Sequence, residues 1–243
     1  TQRGGIVKAD VLVVGAHPDD VEIGLGGTVA KLCRAGYRVV ILDLTRGESG
    51  TRGSAEERAA EATRASEILG VAARENAGLP DGGLANTLEQ RRVVATFIRK
   101  YAPRILIAPM DNDKHPDHNA AHELVRDSNY LAGVGGFQAS YDRYRTKWVY
   151  YYRVYVDAES PHLVLDISPE METKLQALRA YVSQFYNPDY RGETTYISTP
   201  EFWEAIKARA MLLGARIQVQ YAEGLYIKDP VAITTLPGLE VVS

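Results

Sequence analysis

Through the first half of the chain, short β-branched apolar runs alternate with longer amphipathic stretches. Residues 10–16, DVLVVGA, are apolar without a break from 11 to 14, the pattern of a strand covered on both faces. Residues 27–36, GTVAKLCRAG, predict a helix stopped by Gly36, and 38–44, RVVILDL, predict a second buried strand. Residues 54–70 predict a helix with Ser54 as its cap, Glu57 completing a capping box and Gly70 ending it. A further helix is expected over 86–103 and another buried strand over 104–110. Such alternation implies right-handed βαβ units, a mostly parallel sheet and helices on both faces, a three-layer α/β/α Rossmann-like fold.

The second half is less regular. Residues 147–156 and 162–168 predict strands, read as an antiparallel extension of the sheet. Residues 168–185 predict a helix with Pro169 in its first turn, and 198–218 a last long helix before a short strand over 221–227. Between those helices lies a polar and aromatic loop, 186–200, of a length that usually carries function. No internal repeat or low-complexity linker divides the chain, so one domain over 1–243 with an irregular C-terminal extension is expected.

Composition narrows the class. Apolar content of 45% and charged content of 24% suit a globular chain, and a net charge of −3 argues against a nucleic-acid partner. A single cysteine, Cys33, rules out a disulfide framework. No apolar run approaches a membrane span, and residues 1–10 have no hydrophobic signal core. A cytoplasmic protein without membrane contact is the expectation. Tyrosines 144, 150, 151, 152, 155, 186, 190 and 196 exceed what one small core needs and point to a homo-oligomer.

The chemistry is concentrated in two segments. GAHPDD (15–20) follows the first strand, and DNDKHPDH (111–118) follows the strand over 104–110. Alone, either would read as a turn with helix-capping aspartates. In a doubly wound sheet, however, those two strands are neighbours, and the loops beyond their carboxyl ends open the crevice where ligands bind. His17 and His115 each precede a proline, which keeps them extended, and Pro116 places His118 just inside the next helix. Two histidines and a carboxylate with an open position make a catalytic zinc set, and His17, Asp20 and His118 suit it; ferrous iron uses the same donors. Asp19 is then free to act as a base, and a divalent cation offsets the repulsion of the adjacent aspartates. His122, at i,i+4 from His118, is a competing ligand but is assigned to packing. GLGG (24–27) lacks the G-x-G-x-x-G spacing of a dinucleotide site. Its glycines are read as allowing close helix–sheet packing, although Asp43 ends the second strand where a ribose-binding acid would sit. No G-x-S-x-G elbow supports a serine hydrolase.

AHPDD and HPDH resemble the LmbE/PIG-L family of metal-dependent N-deacetylases. VEIGLGGTVAKL, LDLTRGESGTRGS, EERAAEATRASEILGV, SQFYNP, STPEFWEAIKARA and YAEGL are similar to its bacillithiol-biosynthesis branch and extend the resemblance over nearly the whole chain. The resemblance implies a zinc-dependent deacetylase with His17, Asp20 and His118 as ligands and Asp19 as general base. His115 would be protonated to stabilise the oxyanion or leaving amine, with Asp117 orienting it and Arg58 contacting substrate. The implied substrate is a small N-acetylglucosaminide, first N-acetylglucosaminyl malate, and otherwise a chitooligosaccharide or an inositol conjugate. Arg46 and Arg52 in the loop after the second strand, with Arg191 in the late loop, are cations available to an acidic aglycone. A trimer or hexamer is implied. The competing classes are a non-catalytic sugar-binding protein and a nucleotide-binding Rossmann-like protein. The complete set of His17, Asp19, Asp20, His115 and His118 argues against the first, because a binding module has no use for a base.

Overall fold

Five consecutive buried residues, Val11–Gly15, form β1 at the centre of a five-stranded sheet. A computed structural model describes residues 8–155 and 159–230 of the chain. β1 pairs in parallel with β2 (Val39–Thr45) on one side and β4 (Ile105–Pro109) on the other. β3 (Ala73–Leu79) lies beyond β2 and β5 (Trp148–Tyr152) beyond β4, giving the order β3-β2-β1-β4-β5, parallel throughout. Alternate β1 side chains serve the two faces. Val11 and Val13 join one apolar cluster, which also takes residues from α1 (Asp20–Arg34), α2 (Ala55–Leu69), α5 (Met171–Arg179) and α6 (Pro200–Arg216). Leu12 and Val14 join the other, with α3 (Leu88–Tyr101) and α4 (Pro116–Ala132). The three-layer α/β architecture expected from the sequence is therefore present.

Several elements differ from the expectation. β3 has the sequence ARENAGL, too polar to separate from a loop by periodicity, and the sequence pattern does not predict it. β5 is a parallel edge strand, not an antiparallel one, because α4 carries the chain back across the sheet before it. The segment over 162–168 leaves that sheet: β6 (Leu163–Asp166) pairs antiparallel with β7 (Ala222–Leu225) in a separate two-stranded sheet. The helix expected over 168–185 is a 3₁₀ turn followed by α5, which ends at Arg179. The helix expected from residue 27 instead begins at Asp20 and runs through the GLGG segment. Close packing explains those glycines, since a Cβ on Gly24 would stand 2.4 Å from the Tyr152 ring and one on Gly27 2.5 Å from Ile167. Residue 156, at the end of the strand expected over 147–156, lies outside the described residues.

The tyrosines also divide differently. Tyr151 and Tyr152 are buried, and the Tyr152 hydroxyl donates to the Val14 carbonyl at 3.0 Å. Of the eight cited for an interface, only Tyr186 and Tyr196 are exposed. Among the described residues, no helix is long and apolar enough to cross a membrane.

The capping box of α2 is formed as expected. Ser54 Oγ accepts from the Glu57 N–H at 3.1 Å, and Glu57 Oε2 accepts from the Ser54 N–H at 2.8 Å. Replacing Ser54 by alanine removes one half of this exchange and should cost about 1 kcal/mol. Urea denaturation should show a lower midpoint with an unchanged slope; an unchanged midpoint would contradict the assignment.

Candidate active site

Strand order decides where the chemistry gathers. Because β1 and β4 are adjacent while their following helices pack on opposite faces, the segments 16–20 and 110–118 meet over the sheet's carboxyl edge. The His17 and His115 rings approach to 4.7 Å between centroids, and those of His115 and His118 to 4.9 Å. One nitrogen from each of the three histidines lies within 4.8 Å of the others, close enough to share a metal ion.

Asp20, the first residue of α1, lies between His17 and His118. Its Oδ2 accepts from the His17 N–H at 2.8 Å and stands 3.4 Å from His17 Nδ1. Its Oδ1 is 3.2 Å from His118 Nε2. That last contact satisfies distance but not hydrogen-bond direction, so Asp20 Oδ1 and His118 Nε2 remain buried without a proper partner. Two buried polar atoms this close without a hydrogen bond between them are atoms that a bound cation would satisfy. A divalent metal therefore fits the donor set. On its other side, His118 Nδ1 lies 3.1 Å from Asp113 Oδ1, again within contact distance but without hydrogen-bond direction.

Asp19 is held apart from Asp20. It caps α1 in a left-handed conformation, φ 112°, that a non-glycine residue adopts only under local strain. This turn points its carboxylate at Arg58, whose Nη2 donates to Asp19 Oδ2 at 3.2 Å and to the Pro18 carbonyl at 2.6 Å. Burial pushes the Asp19 carboxyl up to about 7, against the pull of Arg58 and with the push of Asp20. That value suits a group taking up a proton near neutrality. Arg58 is itself buried, and its Nη1 donates to the Gly47 carbonyl at 3.2 Å. It braces the Asp19 carboxylate rather than presenting a free guanidinium.

The remaining expected residues are placed as follows. His115 Nδ1 accepts from the Asp117 N–H at 3.2 Å, so in the neutral ring the proton sits on Nε2. Burial, with the charges of His17 and His118, lowers the His115 pKa. It can therefore donate from Nε2 while neutral, without the standing protonation expected of it. The Asp117 carboxylate turns away from His115: its Oδ2 is 3.1 Å from His17 Nε2 and accepts from the Gly82 N–H at 2.8 Å. Arg46 and Arg191 are exposed on their loops. Arg52 is buried and committed, donating to the Ser183 carbonyl at 2.6 Å and the Glu193 carbonyl at 2.8 Å. His122 packs on Tyr151 and contacts the Pro109 carbonyl at 3.1 Å, as assigned.

Two further site residues, Asp81 and Asp113, escape sequence reasoning. Asp81 Oδ1 lies 3.1 Å from His17 Nε2, and His17, Asp81 and Asp117 form a second group with metal-ligand spacing. Asp81 follows β3 in the turn PDGG, so missing that strand hides its position at the carboxyl edge. Asp113 belongs to the polar cluster before His115, where its proximity to His118 is the available signal. Tyr155 stacks on His118 at 5.4 Å and also lines a cavity of about 340 Å³, which none of the candidate ligands lines.

Charge balance gives a test. Burial alone would lower the His118 pKa, but Asp20 and Asp113 raise it to about 9; burial is likewise outweighed at His17 by Asp20, Asp117 and Asp81. A histidine whose folded pKa exceeds its unfolded value of about 6.5 contributes stability below that value and loses it as pH rises through the folded pKa. Chelator-treated protein should therefore melt at a lower temperature at pH 9 than at pH 6.5, and His118→Gln should flatten the decline. A decline of equal size in His118→Gln would contradict the assignment of this charge to His118.

Comparison with known proteins agrees with this geometry. Residues 12–129 match the family model described as PIG-L: GlcNAc-PI de-N-acetylase. A diacetylchitobiose deacetylase of Thermococcus kodakarensis is 33% identical over 96% of this chain and 88% of its own length. A protein of Bacillus anthracis named "Probable N-acetyl-alpha-D-glucosaminyl L-malate deacetylase 2" is 29% identical over 72% of this chain and 81% of its own. The crystal structure of a conserved protein from Thermus thermophilus superposes with a TM-score of 0.84 at 38% identity, covering 94% of this chain and 98% of that one. With the histidines and aspartates of both His-Pro-Asp segments gathered at one crevice, the chain belongs to the PIG-L/LmbE family of deacetylases.

Proposed function

We propose that the protein is a zinc-dependent amide hydrolase that removes acetate from an N-acetylglucosaminide. The observation that carries this reading is the pair of buried, unpartnered atoms Asp20 Oδ1 and His118 Nε2, beside a separately held carboxylate, Asp19. His17, Asp20 and His118 would hold the ion. When bound, it supplies Lewis-acid polarisation of an acetamide carbonyl and lowers the pKa of a coordinated water.

The chain's own groups do the rest. Asp19, with its pKa raised by burial, takes a proton from the attacking water, and Arg58 keeps that carboxylate in place. His115 donates from Nε2 to the developing oxyanion, its tautomer fixed by the Asp117 N–H. The proton gathered by Asp19 then passes to the departing amine. Asp81 and Asp117 beside His17 hold its imidazole in orientation, and Asp113 places a negative charge behind His118.

Two observations bear on the aglycone. The diacetylchitobiose deacetylase matches nearly the whole chain, whereas the malate deacetylase matches 72% of it. Of the arginines considered for gripping an acid, Arg52 and Arg58 are committed to internal carbonyls and Asp19, leaving Arg46 and Arg191 exposed. Both observations favour a neutral sugar such as diacetylchitobiose. The malate conjugate is the second reading, because an arginine fork at those two positions would still suit a carboxylate.

Acetate release from diacetylchitobiose, N-acetylglucosaminyl malate, free N-acetylglucosamine and an N-acetylglucosaminyl inositol decides between them. The highest kcat/KM is expected on diacetylchitobiose. A preference for the malate conjugate, abolished in Arg46→Ala or Arg191→Ala, would transfer the assignment to an acidic aglycone. Failure on all four substrates by metal-replete protein would overturn the reading.

A further inference from the structure

The GLGG and YAEGL segments lie close together around a break in α1. Leu25 leaves the helical region, with φ −139° and ψ 16°, and divides α1 into an N-terminal turn over 20–24 and a longer helix from Gly26. The second helix needs its own N-cap, and leucine has no oxygen to provide one. Glu223 of β7 supplies it from across the structure. Its Oε1 accepts from the Gly27 N–H at 3.1 Å and its Oε2 from the Thr28 N–H at 2.7 Å. Lys174 of α5 neutralises this carboxylate at 2.6 Å, and the same ammonium donates to the Ile23 carbonyl at 2.8 Å. Both side chains are buried. A lysine–glutamate pair thus caps the start of one helix and the end of the turn before it.

That turn begins with the site. Asp20 is its first residue, and the Ile23 N–H donates to the Asp19 carbonyl at 2.9 Å. The Asp20 N–H reaches the His17 carbonyl at 3.3 Å. An unbroken helix would fix Asp19 and Asp20 by its own axis. The break lets the turn take a separate orientation, and Lys174 and Glu223 hold that orientation. We propose that Glu223 and Lys174 are positioning residues that set Asp19 and Asp20 by pinning the break in α1. The functional consequence rests on the deacetylase reading above, while the structural consequence does not.

The test compares wild type with Glu223→Gln, which is nearly isosteric but can accept only one of the two N–H groups and cannot neutralise Lys174. Ile98→Ala, a core truncation on α3 at the opposite face of the sheet, controls for general loss of stability. In Glu223→Gln, hydrogen exchange should speed up at the His17 and Ile23 amides as well as at Gly27 and Thr28. At temperatures well below unfolding, kcat should fall at least tenfold with KM within twofold, and Zn²⁺ affinity should weaken. Ile98→Ala should leave kcat, KM and Zn²⁺ affinity unchanged and should speed exchange at these four amides no more than across the rest of the core. Faster exchange confined to Gly27 and Thr28 would overturn the proposal, as would wild-type kcat and Zn²⁺ affinity. Should Glu223→Gln fail to fold, Glu223→Asp keeps the charge but withdraws the cap by one methylene, and should show the same pattern to a smaller degree. If wild type itself releases no acetate, the deacetylase reading fails, and the exchange at His17 and Ile23 still decides whether the pair pins the turn.

Discussion

Five carboxylates, those of Asp19, Asp20, Asp81, Asp113 and Asp117, surround the imidazoles of His17 and His118 at one end of a parallel sheet. Four of the five lie within 3.4 Å of a ring nitrogen. Such a group of acids is tolerated at low solvent exposure only against positive charge, and the nearby cations are few. Arg58 answers Asp19. The other four acids face the histidines, which are driven to bind protons when nothing else supplies charge. A divalent cation held there, as proposed, would answer the same imbalance without protons and would leave the imidazoles neutral as ligands.

The scaffold is arranged to keep these charges close without letting them collapse onto one another. The left-handed Asp19 separates two adjacent carboxylates by aiming one at Arg58 and the other at the histidines. Arg58 is steadied by the Gly47 carbonyl, and that loop also fixes Asp81, whose carboxylate accepts from the Ser49 N–H at 2.8 Å. The far end of the loop is fastened by Arg52 to the Ser183 carbonyl, and Ser183 is bound by Glu61 of α2 at 2.7 Å through both its N–H and its hydroxyl. SQFYNP, which in the sequence points only to a resemblance, is therefore an anchor for the wall of the site. Apart from the exposed Ser49–Asp81 bond these contacts are buried, a condition for holding the Asp19 carboxylate in fixed relation to the histidines.

Much of this is legible in the sequence because it depends on local patterns. The uninterrupted apolar run of β1, the capping box at Ser54 and the two His-Pro-Asp segments identify the parallel fold, its switch point and the residues that meet there. What escapes depends on tertiary context. β3 gains its place by pairing with β2, not from its own apolar pattern, and with it goes Asp81. The direction of β5 follows from α4 and an irregular connection, which periodicity does not encode. Arg58 and Arg52 read as potential substrate contacts because a sequence cannot show which guanidiniums are already engaged inside the fold.

The division of labour between the adjacent aspartates is the centre of the account, and Asp19→Asn measures it most directly. The amide preserves shape and a contact to Arg58 but cannot take a proton. Metal content by elemental analysis, together with the acetate-release rate, should show a stoichiometric divalent ion retained and turnover reduced by roughly 10²–10⁴-fold. Loss of the metal from Asp19→Asn, or turnover close to wild type, would contradict the assignment of the base to Asp19 and of the ion to its neighbour.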